Sequence, residues 1–195
     1  IEKLKKVTDP RPGEEIFGMT MITLKGKTIL VADTNVQDFP SPERLVKVSK
    51  SCVRVARLFG FDPKVAFLSH STFGKPISKN TKHVRDAIEL LKKEEVNFDF
   101  DGEMQPDVAL NPIYQEIYPF SKIVGNANIL IMPALHSAAI STKLMKVFGG
   151  GKLIGPLLIG LGSPIEVAPL RATTSEILNL ASIAAYSSDV IDYNN

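Results

Sequence analysis

Residues 64–91 read KVAFLSHSTFGKPISKNTKHVRDAIELL. The run Lys64 to Ser69 is short, apolar and unbroken, which suits a strand covered on both faces. Ser71, Thr72, Phe73, Gly74, Lys75 and Pro76 then form a polar loop, and Val84, Ile88 and Leu91 recur at helical spacing. Strand, loop and amphipathic helix in that order make the repeating unit of a parallel sheet covered by helices.

The flanking sequence continues the pattern. On the N-terminal side, Thr20–Leu24 and Thr28–Val31 flank a Gly-centred link, Lys25-Gly26-Lys27, and so predict a hairpin. Ser41-Pro42-Glu43 predicts a helix start, with the serine capping free N–H groups and the proline preset for the first turn. Leu45, Val48, Cys52, Val55 and Phe59 give that helix one apolar stripe, and Gly60 ends it. On the C-terminal side, the pattern predicts strands at Phe98–Phe100, Ile129–Met132 and Leu157–Leu161. Helices are expected over residues 106–117, His136–Phe148 and Thr174–Ala185. Gly149-Gly150-Gly151 stops the second of these, and Thr173 with Glu176 has the spacing of a capping box.

The 195 residues allow one domain or two small lobes. With 44% hydrophobic and 23% charged residues the chain is globular by composition. A formal charge of +2 gives no field that would select nucleic acid or a membrane surface. The longest apolar stretch, Leu153 to Leu161, is short and contains Gly155 and Pro156, so no membrane span is expected. The lone Cys52 fits a reducing compartment and, on the apolar stripe, reads as core. A cytoplasmic location is therefore expected. The start at Ile1, with basic Lys3, Lys5 and Lys6 and no signal-peptide pattern, reads as a cut through a longer polypeptide.

In sheets of this kind ligands bind where strands end and loops begin. The carboxylates Asp33, Asp101, Glu103 and Asp107 fall in such places. They could hold a hard cation, but they come from separate turns without diagnostic spacing, so capping and loop hydrogen bonds are their expected work and no metal site is predicted. Ser71, Thr72 and Gly74 lie after a strand and before a helix, where hydroxyls and backbone N–H groups can receive an anion. His70 and His136 stand at strand ends as candidate ligand contacts, whereas His83 is expected on a solvated helix face. The triple glycine follows a helix instead of opening one, which excludes a dinucleotide fingerprint.

Five blocks in order carry a resemblance. They are Val31-Ala32-Asp33-Thr34; Lys64 to Ser69 with Ser71-Thr72-Phe73-Gly74; Asp101-Gly102-Glu103-Met104-Gln105; Gly125-Asn126-Ala127-Asn128 leading into Ile131-Met132-Pro133; and Ile154-Gly155-Pro156 with Gly160 to Pro164. Together they resemble the phosphate acetyltransferase family over nearly the whole chain. Asp9 to Gly13, Leu110-Asn111-Pro112, Tyr118-Pro119-Phe120 and Ser137 to Lys143 are more similar to the C-terminal phosphotransacetylase-like domains of bacterial hybrid NADP-dependent malic enzymes. The resemblance implies a three-layer α/β/α fold, related to isocitrate and isopropylmalate dehydrogenases, with a mostly parallel sheet and a ligand cleft between two lobes. Residues 20–158 would be the second lobe, and residues 1–19 and 159–195 remnants of the first.

The resemblance also implies a division of labour. The acetyltransferases carry a Ser-Arg pair whose guanidinium would stabilise developing charge. Its positions here are Pro169 and Leu170, with Arg171 one residue late. The family's acidic residue has a counterpart in Glu176, and its small or cysteine residue in Thr34. No catalytic residue is therefore expected, and the ligand-binding candidates are Thr34, Ser71, Thr72, Gly74, His136, Lys143, Arg171 and Glu176. The implied function is a regulatory and oligomerisation domain binding acetyl-CoA as effector, self-associating as a homodimer or higher oligomer, with no cofactor of its own. NADP and Mg or Mn would belong to malic domains outside this chain. The alternatives are an active phosphate acetyltransferase, and a scaffold that has lost both ligand and chemistry.

Overall fold

The computed structural model describes residues 8–33 and 38–192. β1 (Phe17–Leu24) and β2 (Lys27–Ala32) form the expected hairpin, turning on Lys25 and Gly26, both at positive φ. α1 (Pro42–Leu58) starts where predicted, and Ser41 Oγ accepts from Arg44 N at 3.3 Å. β3 (Lys64–Leu68) leads through the loop and a 3-10 turn (Lys79–Thr81) into α2 (Lys82–Lys92). β4 (Asp99–Met104), α3 (Pro106–Leu110), a second 3-10 turn (Pro112–Gln115), β5 (Ile129–Ile131), α4 (Leu135–Phe148), β6 (Lys152–Ile159) and α5 (Thr174–Asp192) complete the order.

The six strands form one sheet in the order β4-β3-β5-β2-β1-β6. Pairs β4/β3, β3/β5 and β5/β2 are parallel, while β1 runs antiparallel to both β2 and β6. The sheet is thus mixed, because the tight hairpin reverses the chain at its start. Along β5 and the residue that follows it, Ile129 and Ile131 join one core cluster while Leu130 and Met132 join the other. That alternation explains the unbroken apolar runs: both faces of the sheet are covered. α1 and α2 pack on the first face through Leu45, Val48, Cys52, Val84, Ile88 and Leu91. α3 and α4 supply Ala109 and Ala138 to the second.

Several boundaries differ from the sequence expectation, and β1 starts early at Phe17 while α5 runs on past Ala185 to Asp192. β4 continues past Phe100 through Asp101 and Glu103 to Met104, since both acids find hydrogen-bond partners inside the fold. The helix expected over residues 106–117 breaks at Asn111, whose extended backbone is what a following proline imposes and whose Oδ1 accepts from Ile113 N at 3.2 Å. β6 begins at Lys152, well before Leu157, and ends at Ile159. Gly155 and Pro156 do not interrupt it, because the register shifts there between Met19 and Met21 on an edge strand. A Cβ at Gly155 would lie 2.8 Å from Met19 O, so this bulge requires glycine. No helix among the described residues is long and apolar enough to cross a membrane.

Candidate functional site

β3 and β5 are neighbours in the sheet, yet α2, which follows β3, covers one face, and α4, which follows β5, covers the other. The loops therefore part in opposite directions and leave a crevice at the carboxyl ends of these strands, the place such sheets use for ligands. Ser69 and His70 line it from β3, Thr81 and His83 from the start of α2, and Pro133 and Ser137 from the start of α4. α4 enters from Ala134, which has no side chain to cap it, and has no acid in its first turn. Leu135 N donates to Asp38 O at 3.1 Å.

His83 departs from its expected solvated face. It is half-buried, with Nε2 2.8 Å from Pro133 O, and so ties α2 to the end of β5. His70 and His136 are exposed; His70 lines the crevice and His136 does not.

Ser71 and Gly74 do hold an anion, but that anion is part of the chain. Ser71 Oγ and Gly74 N both donate to Glu103 Oε1 at 2.9 Å, and Arg85 Nη1 stands 3.5 Å from the same oxygen. Glu103 and Ser71 are almost fully buried. Thr72 Oγ1 accepts from Gln105 N at 3.2 Å, and Phe73 N donates to the Glu103 carbonyl at 2.8 Å. The loop is thus a bracket joining β3 to β4, and the Ser71 hydroxyl and the Thr72, Phe73 and Gly74 N–H groups are already committed.

Two of the other carboxylates are likewise engaged, while Asp107 is exposed. Asp33 is buried, with Oδ1 accepting from Gly18 N at 3.0 Å and Oδ2 from Arg44 Nη2 at 3.0 Å. Asp101 accepts from Gly102 N at 2.9 Å and Lys122 N at 2.8 Å. No group of three metal-ligating side chains forms among the described residues. Cys52 is wholly buried, and burial pushes its thiol well up, so it is core.

Lys143 and Glu176 meet elsewhere, in a second cleft where α4 and α5 lie over β6. Glu176 Oε2 accepts from Thr173 N at 2.8 Å and Thr173 Oγ1 at 3.0 Å, while Glu176 N donates to Thr173 Oγ1 at 3.3 Å, completing the capping box. The Thr173 backbone N–H, then its hydroxyl and Lys146, hold the Glu176 carboxyl below its ordinary range. Pro169 lines this cleft, whereas Leu170 and Arg171 are exposed and Arg171 lines neither cleft. Thr34 lies outside the described residues. Of the candidate residues, Lys143 and Glu176 share this second cleft, while Ser71, Thr72 and Gly74 lie in the loop between β3 and α2.

Sequence reasoning missed Arg85 and Lys146. Arg85 follows Thr81 by one helical turn and was legible as a neighbour of the loop by that spacing. Glu166 accepts from Leu158 N at 3.2 Å at the sheet edge, and burial pushes its carboxyl up to about 7.

The fold defines a helix-covered α/β domain built on a mixed six-stranded sheet, with a crevice at its strand ends. The family model for phosphate acetyl/butaryl transferases matches residues 1–185, and the chain belongs to that family. It is 43% identical over 187 residues to an NADP-dependent malic enzyme of Rhizobium meliloti, covering 96% of this chain and 25% of that protein. It is 32% identical over 155 residues to a phosphate acetyltransferase of Bacillus subtilis, covering 79% of this chain and 48% of that one. A phosphotransacetylase from Streptococcus pyogenes superposes with a TM-score of 0.87 at 29% identity, over 93% of this chain and 56% of that structure. The chain thus spans about a quarter of the malic enzyme and about half of the phosphotransacetylases.

Proposed function

We propose that this chain is the phosphotransacetylase-like part of an NADP-dependent malic enzyme, serving as a regulatory and oligomerisation domain that binds acetyl-CoA and does not transfer acetyl groups. The observation that carries this reading is its 43% identity, over almost its whole length, to a malic enzyme. Oxidative decarboxylation of malate, with NADP and a divalent metal, would be the work of the remaining part of the parent protein. Acetyl-CoA would act by binding two quaternary states unequally, and a coupling of about 1–3 kcal/mol would change activity roughly 5–150-fold.

The strand-end crevice supplies what the anionic end of acetyl-CoA needs. The uncapped start of α4 offers backbone N–H groups, and His70 and Ser137 stand beside it. Absence of transfer is supported by Leu170 at the position expected for the arginine and by the exposure of Arg171 away from both clefts. Self-association is supported by α4, whose Ile140, Leu144 and Val147 share one face and are all more than half exposed.

Calorimetric titration of the chain with acetyl-CoA tests the binding, and the expected result is saturable binding weakened by His70→Ala and Ser137→Ala. A coupled assay is expected to show no formation of acetyl-CoA from acetyl phosphate above background. In the parent, the same two variants should shift the effector curve and leave malate turnover without effector unchanged. Effector curves identical to wild type would remove this crevice from the mechanism.

A further inference from the structure

Three rings meet where the loop after β3 touches the segment between the second 3-10 turn and β5. The centroid of Phe73 lies 4.8 Å from that of Phe120 and 5.2 Å from that of Tyr118, and the latter two are 6.0 Å apart. The rings are tilted or edge-on to one another, the arrangement in which aromatic pairs attract. Phe73 has a φ of +47°, a left-handed conformation that glycine or asparagine would hold with less strain. Its side chain is half-buried against the second core cluster, so a large ring is kept where the backbone does not favour one.

The trio leaves an apolar surface open. Ile113, Ile117, Phe120 and Val124, all on that one segment, are each between 62% and 68% exposed. The segment is anchored, since Lys122 N donates to Asp101 Oδ2 at 2.8 Å and Lys64 Nζ to the Val124 carbonyl at 2.6 Å. Its exposed apolar area is on the order of a few hundred Å². Each side of a stable complex between free partners buries about 800 Å², so this patch is too small to hold a free partner by itself. A tethered partner needs less area, because its effective concentration stays high at any dilution. The malic enzyme related to this chain holds such a partner, since the chain covers only 25% of it.

We propose that Phe73, Phe120 and the neighbouring isoleucines form the surface on which the remaining part of the parent polypeptide docks, through an apolar face of its own. The same loop reaches the strand-end crevice. His70 lines that crevice, its carbonyl accepts from Gln105 Nε2 at 2.7 Å, and Phe73 follows it by three residues. Residues 70–74 therefore connect crevice and patch, and a ligand that shifts His70 alters how Phe73 meets the docked part. This coupling rests on the function proposed above, whereas the docking itself does not.

The test uses the full-length parent with the photoreactive Phe120→p-benzoylphenylalanine replacement, which keeps an aromatic ring at the position. Irradiation followed by peptide mass spectrometry is expected to show a cross-link to a peptide outside these 195 residues. A cross-link only to peptides within them, from the same or a second copy, overturns the proposal, and so does the absence of any cross-link. In the same parent, Phe120→Ser and Ile117→Ser should bind acetyl-CoA within about twofold of wild type by calorimetry. Their malate turnover should respond to acetyl-CoA by less than about twofold, against the roughly 5–150-fold of an intact coupling. Both side chains are largely exposed, so the variants should unfold with the wild-type midpoint. Wild-type effector curves in both variants would overturn the coupling. If the wild-type parent binds no acetyl-CoA, the function proposed above fails, and the cross-link still decides the docking.

Discussion

The bracket around Glu103 and the C-terminal segment from β6 to α5 hold many of the same residue types and use them differently. In the bracket, Ser71, Gly74 and Arg85 all converge on one buried carboxylate. In the C-terminal segment, Asn179 and Arg171 stand in the open, and Ile177 and Leu178 of α5 are about half exposed or more. Serine, threonine and glycine after a strand are thus equally suited to an external anion or an internal one. What distinguishes the two regions is whether the hydrogen-bonding capacity of each group is already committed.

The sharpest test of that contrast removes the internal anion. Glu103→Ala leaves Ser71 Oγ, Gly74 N and Arg85 without their acceptor in a buried place, and should destabilise the fold by about 3 kcal/mol in urea denaturation. Glu103→Gln keeps one acceptor oxygen and should lose less. If Glu103→Ala cost no more than a surface substitution, the bracket would not be structural.

In the C-terminal segment the largest expected effect has the opposite sign. Glu166, with its carboxyl raised to about 7, is protonated in the folded chain at pH values where an unfolded carboxylate has ionised. The resulting stability is fully present below about 4.5 and is lost as pH rises through about 7. Glu166→Gln keeps an acceptor for Leu158 N without the charge. It should therefore stabilise the chain by about 1–2 kcal/mol at pH 8, after allowance for partial exposure, and by almost nothing near pH 4.5. Thermal unfolding of both proteins across that range checks the crossover.

Smaller effects follow along α5. Thr173→Ala removes the hydroxyl of the capping box and should cost about 1 kcal/mol, read as earlier loss of α5 amide protection in hydrogen exchange. The Glu176 half of the box acts in the reverse sense to Glu166. Its lowered carboxyl contributes stability above the ordinary carboxylate range, and that contribution disappears as pH falls through the folded value. Least of all, Arg171→Ala should change stability by under about 0.5 kcal/mol and leave acetyl-CoA binding within about twofold, because its side chain is exposed outside both clefts. A larger loss of binding would make Arg171 a ligand contact and bring the two regions into one site.

The sequence by itself determined the elements whose signals are local. Ser41-Pro42-Glu43, Thr173 with Glu176, and the Lys25-Gly26 turn each act through neighbours a few residues away, and each stands where spacing put it. The apolar runs of β3 and β5 announced strands covered on both faces, since burial leaves no room for alternation. The breadth of the family resemblance was legible in the same way, in blocks along the chain. Tertiary structure alone decided which groups remain available. Nothing near Ser71 in the chain indicates that Glu103, thirty-two residues on, takes its hydroxyl. Nor could spacing place His83 against Pro133, fifty residues away, or show that Lys143 and Glu176 face a different cleft from Ser137. A hydrogen bond or ion pair depends on distances of about 3 Å between groups that only sheet order and helix placement bring together. Side-chain type therefore suggests a site, while the fold decides whether its capacity is already taken.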